Sequence, residues 1–339
     1  ALFPDGEDRS PRLKDKSDQA WTLTALANSY SLSGQPRRAM PLFEQVNVLC
    51  EKLGNKRNLA IGLGNVAHMA QIYIGALQSA EANLRRSIAI SQEIKDEECE
   101  GTGHYELGHV LAYTGKWSEC SQALNAGEAI KKQLAHVQAQ GLIWSYRALR
   151  ELLRLRHAEV LQSAVGNRQS AISHALRALE LAKEWEREGW PNAYDFMRAH
   201  WMLGAAHRIA GQHDEAERHL HEALERCRCI NAVETEADIL IDLARLRATT
   251  PSVSSGQAAA DEAQRLAEEA LLITERSDYV LQGADAHLEL AKLALARGNK
   301  TIALHHATEA RRLATCDGPP DYTYKVAYDE AGALLEEIT

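Results

Sequence analysis

Fourteen histidines and six cysteines are the side chains of this 339-residue sequence with the widest chemical reach, and their spacing decides whether they can act together. A helical zinc site wants two histidines four residues apart on one face. The groupings present are instead His219-Leu220-His221 and the adjacent His305-His306. The segment HEALE from His221 has no second histidine to complete HExxH. Glu98, Cys99, Glu100 and His104 gather at the start of a helical stretch, where acidic residues are what the helix dipole favours in any case. Cys227 and Cys229 lie two apart and so point to nearly opposite sides of a helix. With Cys50, Cys99, Cys120 and Cys316 they make no CxxC pair and no disulfide framework, and read as small apolar residues in a reducing, cytoplasmic compartment. GNKR at 54–57 lacks the spacing of a phosphate-binding loop, and no G-x-S-x-G elbow occurs. The expectation is a chain with no catalytic residue, no metal and no cofactor.

Recognition is better provided for. Trp144, Arg147, Arg150 and Arg154 recur at three- to four-residue spacing, hence largely on one helix face. Trp201 and Arg208 stand seven apart on another helical stretch. Aromatic and arginine side chains together are what strong interface anchors consist of. A plainer reading stands beside this one: Trp144 and Trp201 plug gaps between helices, and the arginines solvate an exposed face or pair with Glu151.

The elements that must position these side chains announce themselves by small residues. Glycines at 34, 75, 115, 166, 211 and 298 each close a helical stretch, in positions suited to left-handed backbone. Five residues after each comes Ala39, Ala80, Cys120, Ala171, Ala216 or Ala303, and four further on Phe43, Leu84, Leu124, Ala175, Leu220 or Ala307. That spacing keeps each pair on one face of a second helix. In the clearest copy, LGAAHRIAGQHDEAERHL, Gly204 and Ala216 fall where two antiparallel helices cross, and only small side chains let the axes approach to about 8–10 Å. The fold class expected is all-α, a right-handed superhelix of about seven hairpins. The hairpins lie near 17–54, 56–95, 97–134, 137–188, 192–230, 232–276 and 279–315, with a capping helix at 322–338. Residues 1–16 read as a linker or lead-in, with Ser17 as the first N-cap. The run 138–165 contains no helix breaker and reaches about seven turns. ATTPSVSSGQ, around Pro251, reads as an exposed loop within the sixth hairpin.

Composition narrows the partners. Lys plus Arg total 38 against 47 Asp plus Glu, a net charge of −9, which argues against nonspecific nucleic-acid binding because that binding draws its strength from phosphate neutralisation. Three phenylalanines among abundant Ala and Leu imply close helix packing in place of a large aromatic core. No apolar run is long enough for a membrane span and no secretory leader precedes Ser17. The first residue is Ala and not Met, which suggests a fragment or a processed product.

The spacing resembles the tetratricopeptide repeat (TPR), whose W-x2-L-G-x2-Y and A-x3-F elements recur with a period of about 34 residues. Leu107-Gly108 and Leu203-Gly204 match its L-G pair, Tyr30 its tyrosine, and Ala39 with Phe43 its A-x3-F. Up to Gly211 successive turn glycines are roughly 40 to 50 residues apart, so the helices are longer than the minimal repeat's. The resemblance implies a superhelix whose concave wall is lined by the first helix of each hairpin. On that wall the repeat register places Asn28, Asn65, Tyr105, His109, Trp201, Arg208, Arg245 and Lys292, joined by Trp144, Arg147, Arg150 and Arg154. Asn28 and Asn65 resemble the asparagines by which some TPR co-chaperones hold a peptide's terminal carboxylate, although the accompanying lysines are not at matching positions.

The lead-in LFPDGEDRSPRLKDKSDQAWTLTALANSYSLSGQPRRAMPLFEQ and the terminal DGPPDYTYKVAYDEAGALLEEI resemble segments in the C-terminal repeats of bacterial STAND signal-transduction ATPases. That implies a sensor domain which does no chemistry and releases its own ATPase and effector domains from autoinhibition when an inducer binds the concave wall better in the released state. The rival is a free-standing adaptor that binds a peptide or helix of a partner protein.

Overall fold

The computed structural model describes residues 2–4, 6–7, 11–162, 167–249 and 256–339; the turn expected at Gly166 and the loop expected around Pro251 lie outside them. Among the described residues fifteen α-helices form seven antiparallel hairpins and a final helix. The hairpins are α1 (Lys16–Leu32) with α2 (Pro36–Lys52), α3 (Lys56–Val66) with α4 (Leu77–Ile94), α5 (Glu97–Tyr113) with α6 (Trp117–Gln133), and α7 (Val137–Val160) with α8 (Arg168–Arg187). There follow α9 (Ala193–Ile209) with α10 (His213–Ile230), α11 (Val233–Thr249) with α12 (Gly256–Ser277), and α13 (Val280–Ala296) with α14 (Lys300–Ala314). The cap is α15 (Lys325–Ile338). We call the odd-numbered helix of each hairpin A and the even-numbered one B.

Small residues set the packing within hairpins. Ala39, Ala80, Cys120, Ala171, Ala216 and Ala303 are all fully buried, and so are the residues four positions on, from Phe43 to Ala307. A Cβ at Gly204 would lie 2.6 Å from Leu220 Cγ, and one at Gly108 2.6 Å from Leu124 Cδ2. The five described turn glycines, Gly34, Gly75, Gly115, Gly211 and Gly298, have φ of 73° to 78°, left-handed backbone that an L side chain resists. Helix α1 begins one residue ahead of Ser17, because the Asp15 carboxylate accepts from the amides of Ser17 (2.7 Å) and Asp18 (3.1 Å) and is the better-charged cap. Helix α3 runs on into a π-helical turn, Ala67–Gln71, where the Ile72 amide reaches the Ala67 carbonyl; nothing in the sequence pattern announced it.

The solenoid winds far enough for its two ends to meet. The Val280 amide donates to the Tyr73 carbonyl at 2.7 Å, the Tyr73 and Tyr279 rings lie 5.4 Å apart, and Arg37 approaches Asp278 at 3.4 Å. Asp317 reaches back 239 residues to accept from the Gln78 amide at 2.7 Å. It caps α4, whose own N-cap residue, Ala76, offers no side-chain acceptor. Lys116 sits over the Tyr322 ring, and the Tyr113 and Tyr324 rings meet edge to face at 5.2 Å. Removing the Asp317 acceptor is expected to cost about 0.5–2 kcal/mol. In the Asp317→Ala variant hydrogen exchange should quicken at both the Gln78 and Val280 amides. An unchanged Val280 amide would mean that the two halves of the seam open independently.

Candidate functional site: the inner wall

The A helices face inward and enclose two cavities. The larger, about 280 Å³, is lined by Ser31 and Leu32 of α1, His68 and Met69 of the π turn, Tyr73, Glu106 and His109 of α5, Leu142 and Tyr146 of α7, Tyr194 and Arg198 of α9, and Glu234 of α11. The smaller, about 50 Å³, lies deeper among α7, α9, α11, α13 and α15.

Around the smaller cavity the charges are matched. Arg156 grips Asp285 with two nitrogens, at 2.6 and 3.0 Å, and donates from Nε to Glu330 at 2.7 Å. The Tyr324 hydroxyl donates to the same Asp285 at 3.0 Å. Arg245 donates to Glu289 at 2.8 Å, and Lys292 bridges Glu289 (3.0 Å) and Glu330. Arg208 and the Trp201 indole N–H share Asp242, at 3.0 and 2.9 Å. Burial disfavours charge on Glu289, yet Lys292 and Arg245 hold its carboxyl down at about 2. Glu330 is likewise held well below the carboxylate range, by Arg156 and Lys292 against its burial. Asp238 accepts from Gln282 (3.2 Å), and burial pushes its carboxyl well up. Four cations thus meet four carboxylates, while burial works against charge on the fifth acid.

The larger cavity is different in kind. His109 stacks on Tyr146, centroids 4.2 Å apart and 11° from parallel, and burial pushes its imidazole down to about 3. The Tyr146 hydroxyl donates to Glu106 at 3.1 Å. Arg198 has its nearest carboxylate, Asp195, 3.7 Å away. Among the described residues no group of three His, Cys, Asp or Glu is arranged to hold a metal ion, and no helix is long and apolar enough to cross a membrane. The lining combines aromatic walls and one guanidinium with little engagement, with a scaffold fixed by ion pairs behind it.

A family model for the tetratricopeptide repeat matches residues 202–228, the stretch from α9 into α10 that contains Gly204 and Ala216. The chain is a TPR-like solenoid. Its superhelix has counterparts among solved structures. One is a Rap protein complexed with Competence and Sporulation Factor, with a TM-score of 0.58 and 13% identity over 95% of this chain and 88% of that one. Another is NprR in complex with its cognate peptide NprX, with a TM-score of 0.50 and 13% identity over 94% and 82%. A STAND protein with a tetratricopeptide repeat sensor from Pyrococcus horikoshii gives 0.48 and 14% over 87% of this chain and 42% of that one, too low a score to argue from. At these identities the likeness is one of fold. Comparison with curated proteins finds no match. A TPR-like solenoid is a scaffold for protein interaction.

The TPR-like solenoid distributes the expected wall residues unevenly. His109 lines the larger cavity and Trp201, Arg208 and Arg245 the smaller one, while Lys292 links α13 to α15 through Glu330. Asn65 lines a side groove of about 210 Å³ between α1 and α3, and the Asn28 carbonyl oxygen is buried without a hydrogen bond. Tyr105 is buried against Tyr146 and Lys131 and away from the cavity lining. The expected residues of α7 meet partners on α6, α7 and α8. Arg147 donates to Asn125 and Glu128 of helix B α6 at 2.7 and 2.6 Å, and Trp144 packs on His174 of helix B α8. Arg150 and Arg154 pair with Glu151 on their own helix. Arg147 is spent on α6 and Trp144 on α8, while Arg150 and Arg154 are held by Glu151. The inward stripe is Leu142, Tyr146, Leu149, Leu153 and Arg156. Arg156 and Arg198 are the wall cations that sequence reasoning missed. Arg198 was within reach, one turn ahead of Trp201 on the stripe that continues to Arg208.

Two buried histidine pairs tie A helices to their B partners and give a pH signature. His200 and His219 approach Nδ1 to Nδ1 at 2.8 Å, and so do His287 and His306. Such a contact needs one ring donating and one accepting, so the two rings of a pair cannot both be charged. Burial first, then the neighbouring cations and imidazoles, pushes His219 and His287 down to about 4. An unfolded histidine binds its proton near 6.5, so their contribution is full above that value and is lost as pH falls toward 4. The urea midpoint of the His219→Asn, His287→Asn double variant should therefore drop less than the wild type's between pH 7 and pH 4.5. Parallel curves would remove the assignment.

Proposed function

We propose that this TPR-like scaffold receives an extended peptide segment in the larger inner cavity and reports its occupancy to the rest of a signalling protein. The observation that carries the reading is that cavity: it draws on the A helices of six successive hairpins, so one ligand touches most of the solenoid at once. A ligand that binds one curvature better than another shifts the population toward it by no more than that difference in affinity. The seam between residues 277–280, 316–325 and the first three hairpins is the part whose closure would follow occupancy. The peptide complex of NprR, over 94% of this chain, supports the class of ligand.

The setting we propose is the sensor of a bacterial, cytoplasmic STAND ATPase, on the terminal segments already described; a free-standing adaptor with the same inner wall is favoured by the NprR likeness. Reading the codons ahead of Ala1 separates them: a G-x-x-x-x-G-K-[ST] loop there supports the sensor, a nearby start codon the adaptor. The inner wall itself is tested by filling it. In equilibrium dialysis the wild type should retain members of a degenerate N-acetyl hexapeptide pool, and Leu142→Trp should retain none while its helix content is unchanged. Equal retention by the filled chain would move the site elsewhere, and none by the wild type would end the peptide reading.

A further inference from the structure

The cations of the inner wall fall into two sorts. Arg156, Arg208, Arg245 and Lys292 each engage a carboxylate at 3.0 Å or closer. Arg198 does not: its closest approach is Asp195 at 3.7 Å, and among the described residues its guanidinium makes no hydrogen bond. It lines the larger cavity together with Tyr73, His109, Tyr146, Tyr194 and Glu234. Burial pushes the carboxyls of both Asp195 and Glu234 up. Glu106 already accepts from Tyr146. His109 Nδ1 and Asp195 Oδ2 are also buried without a hydrogen bond. The side chain of Arg198 is 25% exposed, so a ligand can reach it.

We propose that Arg198 receives a carboxylate of the ligand, supplied by a peptide's C-terminus or by an acidic side chain, with the adjoining apolar part against Tyr73, Tyr146 and Tyr194. This rests on the peptide reading of the inner wall. A guanidinium presents a planar fork of donors that matches a carboxylate in two parallel hydrogen bonds. The exchange is favourable because Arg198 gives up no hydrogen bond to make them. A cationic group in the same place would be repelled by the guanidinium.

Three N-acetylated hexapeptide pools separate the sources: a free C-terminus without Asp or Glu, a C-terminal amide with Asp and Glu, and an amide with neither. Dialysis against the intact chain should retain one or both of the first two and not the third. Retention of the first alone identifies the chain terminus, and of the second alone the acidic side chain. Arg198→Gln should weaken retention by roughly 10- to 100-fold, the range for a hydrogen bond to a charged group, and Arg198→Lys by less. A reading that needs no variant is protection of Arg198 in the wild type from a guanidinium-selective dicarbonyl reagent, located by mass spectrometry, by the retained pool only. Retention of all three pools with Arg198 unprotected would overturn the carboxylate assignment while leaving peptide binding intact. Retention of none would remove both.

Discussion

Arg156→Ala is expected to cost about 3–5 kcal/mol of stability, because it leaves Asp285 and Glu330 buried with their best partner gone. Arg156 is 11% exposed, its two partners 10% and 13%, so water does little of the screening that makes surface pairs nearly worthless. The loss should be felt first at α15, which the side chain ties to α7 and α13 across the inner wall. Hydrogen exchange should show α15 opening below the global transition, and urea unfolding should lose its single step. Adding Asp285→Asn and Glu330→Gln should return part of the loss, since neutral amides tolerate burial better than stranded charges. The pH dependence has a definite sign. In the wild type the depressed Glu330 contributes stability above the unfolded value near 4.3, lost as pH falls. The gap between wild type and Arg156→Ala should therefore narrow below about pH 4.5. A loss under about 1 kcal/mol at neutral pH would mean that the network behaves like a surface pair.

Gly204→Val is the second large effect expected, about 1–3 kcal/mol or more. A Cβ there meets Leu220 Cγ at 2.6 Å, Cδ2 at 2.8 Å and the Leu220 backbone nitrogen at 3.0 Å. The side chain can turn aside, but the backbone of α10 can yield only if the two helices separate, and the fully buried Ala216 and Met197 then lose their contacts. The control is Gly64, whose Cβ would meet nothing within 4 Å. Gly64→Ala should stabilise by about 0.4–1 kcal/mol, because it removes only unfolded-state freedom. Thermal unfolding of the two variants side by side tests both. A well-folded Gly204→Val chain of wild-type stability would show that the crossing at this position is not set by the missing side chain.

The hairpins were legible in the sequence for a local reason. A helix crossing within a hairpin brings together residues about a dozen apart, as Gly204 meets Ala216 and Leu220, and the need for a small residue at the crossing is written directly into the chain. The same locality made Ala39, Ala80, Cys120, Ala171 and Ala303 recognisable before any coordinates. The face of α7 was not readable that way. Its Trp144-Arg147-Arg150-Arg154 stripe and its Tyr146-Leu149-Leu153-Arg156 stripe are both plausible walls, and only the positions of Glu128, Asn125 and His174 on neighbouring helices turn the first of them outward. Likewise no spacing distinguishes Arg198, which lacks a close carboxylate, from Arg156, which has two.

What the sequence by itself determined is therefore the all-α class, the seven hairpins and the cap, and the small residues at each crossing, since all of these arise from contacts within one hairpin. The tertiary structure alone decided which cations are spent and which is available. The partners of Arg156 stand 129 and 174 residues away, and Asp317 caps a helix 239 residues earlier. Such pairings depend on the accumulated curvature of the superhelix, a small rotation per hairpin summed over the whole chain, and no single stretch of sequence contains that sum.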